Sequence, residues 1–235
     1  MVKFYQVGGA VRDELLGLEA KDIDYAVEAE SYEAMRGHLQ SLGCEIFLET
    51  PKYFTIRARM PEGTNQGRAI TSDFVLCRKD GAYSDGRHPE VVSVGTIYDD
   101  LKRRDFTINA LAKDEAGIII DPHGGKVDLE AGILKCVGDP RDRFSEDGLR
   151  MIRAIRFAVT KELEIHYEID GLLQDEDFFK PRLKGVSIER IREELTKAFS
   201  YDTPATINEL IYFSDLRRYL FSLKGLWLKP TTELR

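Results

Sequence analysis

At 235 residues, with 43% hydrophobic and 32% charged side chains, the chain is long enough for one large domain or two small ones and carries no signature of disorder. A formal net charge of −7 excludes a broadly basic surface, although a local arginine cluster can still meet phosphates while acids elsewhere dominate the sum. No apolar run approaches the ~18 residues of a membrane span, the N-terminal apolar stretch is too short for a secretory signal, and the scattered Cys44, Cys77 and Cys136 lack metal-ligand spacing, so a soluble, cytoplasmic protein with reduced, buried thiols is expected.

In chain order, residues 3–7 read as a strand, and Gly8-Gly9 then breaks into a helix over 10–16 that Gly17 closes. Residues 23–27 form a second strand. Ser31 caps a helix running to about Leu42, ended by Gly43. Strands follow at about 45–48, 53–59, 69–77 and 91–94, with Asp80-Gly81 and Asp85-Gly86 marking turns in a polar loop. A short helix at 107–111 and a strand at 117–121 complete an α/β or α+β region. From Asp142 the pattern turns helical: 146–160 and 187–199 repeat apolar residues at three- and four-residue intervals, and 206–212 adds a further helix. The expected organisation is a first domain over 1–139 and a helical one over 140–235, divided near Pro140.

Two carboxylates open the second strand, in Lys21-Asp22-Ile23-Asp24-Tyr25. Residues two apart on a strand face one side, so Asp22 and Asp24 present their acids together while Ile23 turns to the core. Such a pair suits Mg²⁺, a hard cation that takes few carboxylates and shares the rest of its shell with water and substrate phosphates. A solvated Asp-x-Asp at a strand edge is the plainer alternative. Asp73, in the apolar run Ile70-Thr71-Ser72-Asp73-Phe74-Val75-Leu76, is either a third such carboxylate or a residue on an exposed strand face.

The turn Val7-Gly8-Gly9-Ala10-Val11-Arg12 lies between a strand and a helix start, thirteen residues before Asp22. Glycines admit close approach of backbone N–H groups to a phosphate, and Arg12, one turn on, adds a fork of donors. The spacing matches neither a dinucleotide-binding fingerprint nor a P-loop. Further on, Leu149, Ile152, Ile155 and Val159 form one stripe of a helix, while Asp147, Arg150 and Arg153 fall at i, i+3 and i+6 on another face. Cytosine and adenine both offer an exocyclic amino donor beside a ring-nitrogen acceptor, which one carboxylate and one guanidinium complement. Asp147 with Arg150 is thus suited to accept C and A and to mismatch G and U. A solvated helix face touching RNA phosphates is the alternative.

Together these motifs resemble the class II tRNA nucleotidyltransferases (CCA-adding enzymes) and the similar bacterial poly(A) polymerases. The resemblance runs through Gly8-Gly9-Ala10-Val11-Arg12-Asp13, Leu15-Leu16-Gly17, Asp22-Ile23-Asp24, and Leu101-Lys102-Arg103-Arg104-Asp105-Phe106-Thr107-Ile108-Asn109-Ala110-Leu111. It continues through Asp121-Pro122, Gly125, Asp128-Leu129, Glu146-Asp147 with Arg150, Arg153, Arg156 and Phe157, and Val186-Ser187-Ile188-Glu189-Arg190-Ile191. It implies an α+β head of the DNA polymerase β-like nucleotidyltransferase type followed by a helical neck. It also implies Mg²⁺ on Asp22 and Asp24, with Asp73 less securely matched. Gly8, Gly9 and Arg12 would hold the triphosphate, Arg104 and Asp105 would lie near ribose and phosphates, and Asn109 would support that geometry. Asp147 and Arg150 would act as a protein template for C and A, joined by Arg153.

The implied reaction is template-independent addition of C and A, from CTP and ATP, to the 3′ end of tRNA. The loop 78–88 sits where the family has a flexible loop linked to the change from C to A addition, and His88 reads as a loop residue. Family members continue into body and tail domains, and little remains here after about Tyr201, so the chain reads as a piece or as a minimal enzyme. Poly(A) polymerase or A-only or CC-only addition is the nearest alternative, and a non-catalytic nucleotide- or RNA-binding module the alternative of another class.

Overall fold

The structure, a computed structural model, describes residues 1–19, 23–61, 71–81 and 92–226. Asp22, most of the loop 78–88 including His88, and Ala69-Ile70 therefore lie outside the described residues. The chain divides into two compact units, one built on Met1 to Val127 and one from Asp128 onward.

The first unit holds β1 (Lys3–Val7), α1 (Gly9–Leu15), β2 (Asp24–Glu28), α2 (Tyr32–Ser41), β3 (Glu45–Thr50), β4 (Thr55–Arg59), β5 (Thr71–Leu76), β6 (Arg78–Asp80), β7 (Val92–Val94), α3 (Ile97–Lys102), β8 (Ala112–Lys113) and β9 (Ile119–Ile120), and reaches into α4 (Gly125–Glu130). Seven strands form one sheet in the order β3-β4-β5-β2-β1-β8-β9. The β2–β5 pair is parallel and its neighbours β1–β2 and β4–β5 are antiparallel. Alternation sends Tyr25, Val27, Ile56, Ala58, Phe74 and Leu76 to one face, where they pack with Tyr32, Met35 and Leu39 of α2. Burying each large aliphatic or aromatic side chain there contributes about 1.5–3 kcal/mol. Tyr25 and Phe74 stack with ring centroids 5.2 Å apart. The Ser31 hydroxyl accepts from the Ala34 N–H, so the expected cap of α2 is in place.

Two differences from the sequence reading stand out in this unit. The expected strand at 53–59 begins only at Thr55, because Pro51–Tyr53 forms a 3₁₀ turn and Phe54 takes a left-handed φ of 57°. Between β7 and Arg103 lies α3, which periodicity did not indicate; a reciprocal box starts it, Thr96 accepting from the Asp99 N–H while Asp99 accepts from the Thr96 N–H.

The second unit contains β10 (Ile133–Leu134), α5 (Pro140–Glu146), α6 (Leu149–Lys161), β11 (Glu164–Ile165), α7 (Tyr167–Gln174), α8 (Glu176–Lys184), α9 (Ile188–Tyr201), α10 (Thr203–Tyr212) and α11 (Ser214–Ser222). The buried stripe of α6, including Leu149, Ile152, Ile155 and Val159, packs against α9 through Ile191, Leu195 and Ala198. No helix among the described residues is long and apolar enough to cross a membrane. Cys44, Cys77 and Cys136 are buried thiols, and burial pushes the Cys77 thiol far up.

Candidate nucleotide-binding site

Gly8 ends β1 at φ 65°, a conformation that only glycine adopts without strain, and its N–H donates to the Leu111 carbonyl (3.1 Å). A Cβ at this position would lie 2.8 Å from Nη1 of Arg104. That guanidinium donates to the Asn109 carbonyl (3.2 Å) and, through Nε and Nη2, to Asp100 Oδ2 (3.2 and 3.0 Å). The Asn109 side chain accepts from Arg12 Nη1 (2.6 Å) and donates to Asp105 Oδ1 (3.0 Å), which also accepts from the Phe106 N–H. Arg12, Asp105 and Asn109 are all buried. Arg12 also pairs with Asp13 (2.8 Å), so several of its donors turn inward, toward the protein. Thus Gly8, Arg12, Arg104 and Asp105, nearly a hundred residues apart in sequence, meet in one network. Gly9 is exposed beside it.

Asp100 is the member that sequence reading missed. Burial alone would raise its carboxyl, but Arg104 and Arg103 outweigh that and hold it below the ordinary carboxylate value. The pairs are local, from Asp100 near the end of α3 to the residues three and four further on, a spacing that marks ion pairs on a helix. Asp80, also nearly inaccessible, continues the charge alternation through Arg103 (3.9 Å) and Arg78 (3.0 Å).

The carboxylates sit one strand away. Asp24 pairs with Val7 in the β1–β2 register, directly before the glycine turn. Asp73 precedes Phe74 as Asp24 precedes Tyr25, and Tyr25 and Phe74 are partners across β2–β5, so the two acids fall side by side on the face opposite the stacked rings. Asp73 is engaged by Arg57 of β4, whose Nε and Nη2 each lie 2.6 Å from one carboxylate oxygen. Among the described residues no group of three or more His, Cys, Asp or Glu side chains is placed to hold a metal ion. The donor chemistry nevertheless fits Mg²⁺: Asp24 and Asp73 offer hard oxygens on one sheet face.

In the second unit the expected Asp147–Arg150–Arg153 helix face is corrected. Helix α5 stops at Glu146, Asp147 is extended (φ −153°, ψ 107°), and α6 starts at Leu149. Asp147 Oδ1 accepts from the Leu149 N–H (3.0 Å), so this aspartate caps α6 instead of riding on it. Gly148 sits at this break, where a Cβ would lie 2.4 Å from the Arg182 carbonyl oxygen, so only glycine admits the close approach of α8. The Asp147 carboxylate pairs with Arg190 of α9 (2.6 and 3.3 Å). Arg150 pairs with Glu146 (2.6 Å) and donates to the Arg143 carbonyl, while Arg153 and Arg156 meet the buried Glu194 (3.5 and 2.5 Å). Arg156 also lies over the Phe157 ring, 4.0 Å from its centroid.

Residues 4–135 match the family described as Poly A polymerase head domain, and residues 179–226 that described as the probable RNA- and SrmB-binding site of polymerase A. A CCA-adding enzyme of Geobacillus thermodenitrificans is 38% identical over 241 aligned positions, covering 98% of this chain and 54% of that protein. The Bacillus stearothermophilus CCA-adding enzyme in complex with CTP superposes with a TM-score of 0.76 at 31% identity, covering 95% of this chain and 51% of that one. The Thermotoga maritima CCA-adding enzyme complexed with tRNA gives 0.74 at 29%, covering 94% and 48%. The chain spans about half the length of the curated relatives it matches.

Proposed function

The chain belongs to the poly(A) polymerase head-domain family, and from that premise we propose that it adds C and A, from CTP and ATP, to the 3′ end of tRNA by template-independent nucleotidyl transfer. The observation that carries this reading is the buried network joining Gly8, Arg104, Asn109, Arg12 and Asp105 beside the strand that bears Asp24. It fixes a glycine turn and two guanidinium groups in advance of substrate, the preorganisation that phosphoryl chemistry rewards.

In the proposed reaction the RNA 3′-hydroxyl attacks the α-phosphorus in line, and pyrophosphate leaves with no covalent enzyme intermediate. Asp22 and Asp24 would hold Mg²⁺, with Asp73 beside Asp24, and the ion would supply a lowered hydroxyl pKa and charge stabilisation of the leaving group. The Gly8-Gly9 turn would admit the triphosphate beside Arg104 and the buried Arg12, whose charges are held in place by Asn109 and Asp100. Asp105, fixed by Asn109 and the Phe106 N–H, is suited to accept from the ribose. Asp147 and Arg150 would read the base, with Arg190 orienting Asp147. Arg153, tied to Glu194, would complete the basic face.

The family description favours a second reading, a poly(A) polymerase, and one assay separates the two. Incubated with tRNA lacking its 3′ end and with each nucleotide separately, the protein is expected to add C from CTP and then A. A long A tail made without CTP refutes CCA addition. Incorporation by an Asp24→Ala variant at the wild-type rate refutes nucleotidyl transfer at this site.

A further inference from the structure

The sheet face that carries Asp24 also carries an arginine that no nucleotide-binding motif claims. Arg57 stands directly opposite Asp73 in the β4–β5 register, and its two hydrogen bonds occupy both carboxylate oxygens. Asp73 in turn lies beside Asp24, on strands about 5 Å apart. The stacked Tyr25 and Phe74 fix this arrangement, because a one-residue slip of either strand would turn its ring out of the core.

Two carboxylates so placed repel unless a positive charge stands with them. Arg57 supplies one. Its pair with Asp73 is only partly buried, with 47% of the Arg57 side chain and 28% of the Asp73 side chain exposed. A pair left partly open to solvent keeps its carboxylate within reach of a competing doubly charged ion.

We propose that Arg57 is a built-in competitor for the divalent cation: it holds Asp73 when no cation is bound, and releasing it is part of cation binding on the Asp24 face. The proposal rests on the metal-dependent reading of this site given above. For Asp73 to donate an oxygen to a cation, at least one bond of the Arg57 fork must break. Removing Arg57 therefore strengthens cation binding, and does so through Asp73.

The test is titration of the whole chain with Mn²⁺ alone, following the free-ion electron paramagnetic resonance signal, for wild type, R57Q, D73N, R57Q/D73N and D24N. Wild type is expected to bind in a manner that D24N weakens at least tenfold. R57Q is expected to bind about three- to tenfold more tightly than wild type, the worth of a partly exposed two-bond ion pair that no longer has to be broken. In the D73N background the same substitution is expected to change affinity less than twofold. Equal or weaker binding by R57Q overturns the proposal while leaving the Asp24 site intact. So does an undiminished gain in the D73N background, which would be a through-space charge effect. Absence of Asp24-dependent Mn²⁺ binding in wild type overturns both this proposal and the metal-dependent reading beneath it.

Discussion

Asn109 stands between Arg12 and Asp105, accepting from the one through Oδ1 (2.6 Å) and donating to the other through Nδ2 (3.0 Å). A carboxamide presents an acceptor to one charge and a donor to the opposite charge at once. Asn109→Ala leaves two buried groups short of a partner and is expected to cost about 1–3 kcal/mol of stability. Asn109→Asp replaces the donor with a second carboxylate facing Asp105 and is expected to cost more. Urea unfolding monitored by circular dichroism ranks the two; a neutral Asn109→Asp would contradict the bridging role.

Gly8→Ala meets two obstacles at once. The residue is at φ 65° with ψ −121°, a region restricted to glycine, where other residues incur about 1–3 kcal/mol of strain. The added methyl would also press on Arg104 Nη1 at 2.8 Å. Arg104 is expected to shift away from the turn, so nucleotide affinity falls by about tenfold or more while the melting temperature drops by only several degrees. Equilibrium dialysis against CTP with a parallel thermal melt measures both; unchanged affinity would remove Arg104 from the site.

The parts of this arrangement that were legible in the sequence are those set by local chemistry. Gly8 at a strand end, Ser31 before an amphipathic helix and the glycine at 43 each act within a few residues. Helix α3 was not legible: it has six residues, too few for periodicity, and its start depends on the Thr96–Asp99 box. The placement of Asp147 failed for a different reason. The Asp147-Gly148 pair is a local helix-start signal, a capping aspartate before a glycine, that the apolar periodicity of 146–160 hid; the approach of Gly148 to the Arg182 carbonyl, by contrast, joins segments far apart in sequence. The Arg57–Asp73 pair likewise requires the β4–β5 register, and the Asp147–Arg190 pair spans 43 positions. Residue types pointed to candidate groups; non-local packing assigned their partners.

Asp100 makes stability depend on acid. Its carboxyl is held below the ordinary value because Arg104 and Arg103 outweigh the burial that would raise it. A group with a depressed folded pKa contributes its stability above the unfolded value, about 3.9 for aspartate, and loses it as pH falls through the folded value. Wild type is therefore expected to lose stability below about pH 4. Asp100→Asn is expected to flatten this limb while lowering stability near neutrality by about 3 kcal/mol, since Arg104 and Arg103 each lose a buried counter-charge. Unfolding free energies from pH 2.5 to 7 test both arms.

Arg190 is expected to govern base selection without touching the base. Its two bonds orient Asp147, which also caps α6 through the Leu149 N–H. Asp147→Ala removes acceptor and cap together, so loss of discrimination between C or A and U or G should come with about 1 kcal/mol of destabilisation. Arg190→Ala leaves the cap in place and frees the carboxylate to rotate. Discrimination is expected to fall about tenfold or more, because a mispointed acceptor no longer rewards the exocyclic amino group. The rate of correct incorporation should fall less than the selectivity does. Single-turnover incorporation of each of the four nucleotides onto tRNA lacking its 3′ end resolves rate from selectivity. Full selectivity in Arg190→Ala would show that the Asp147–Arg190 pair serves packing alone.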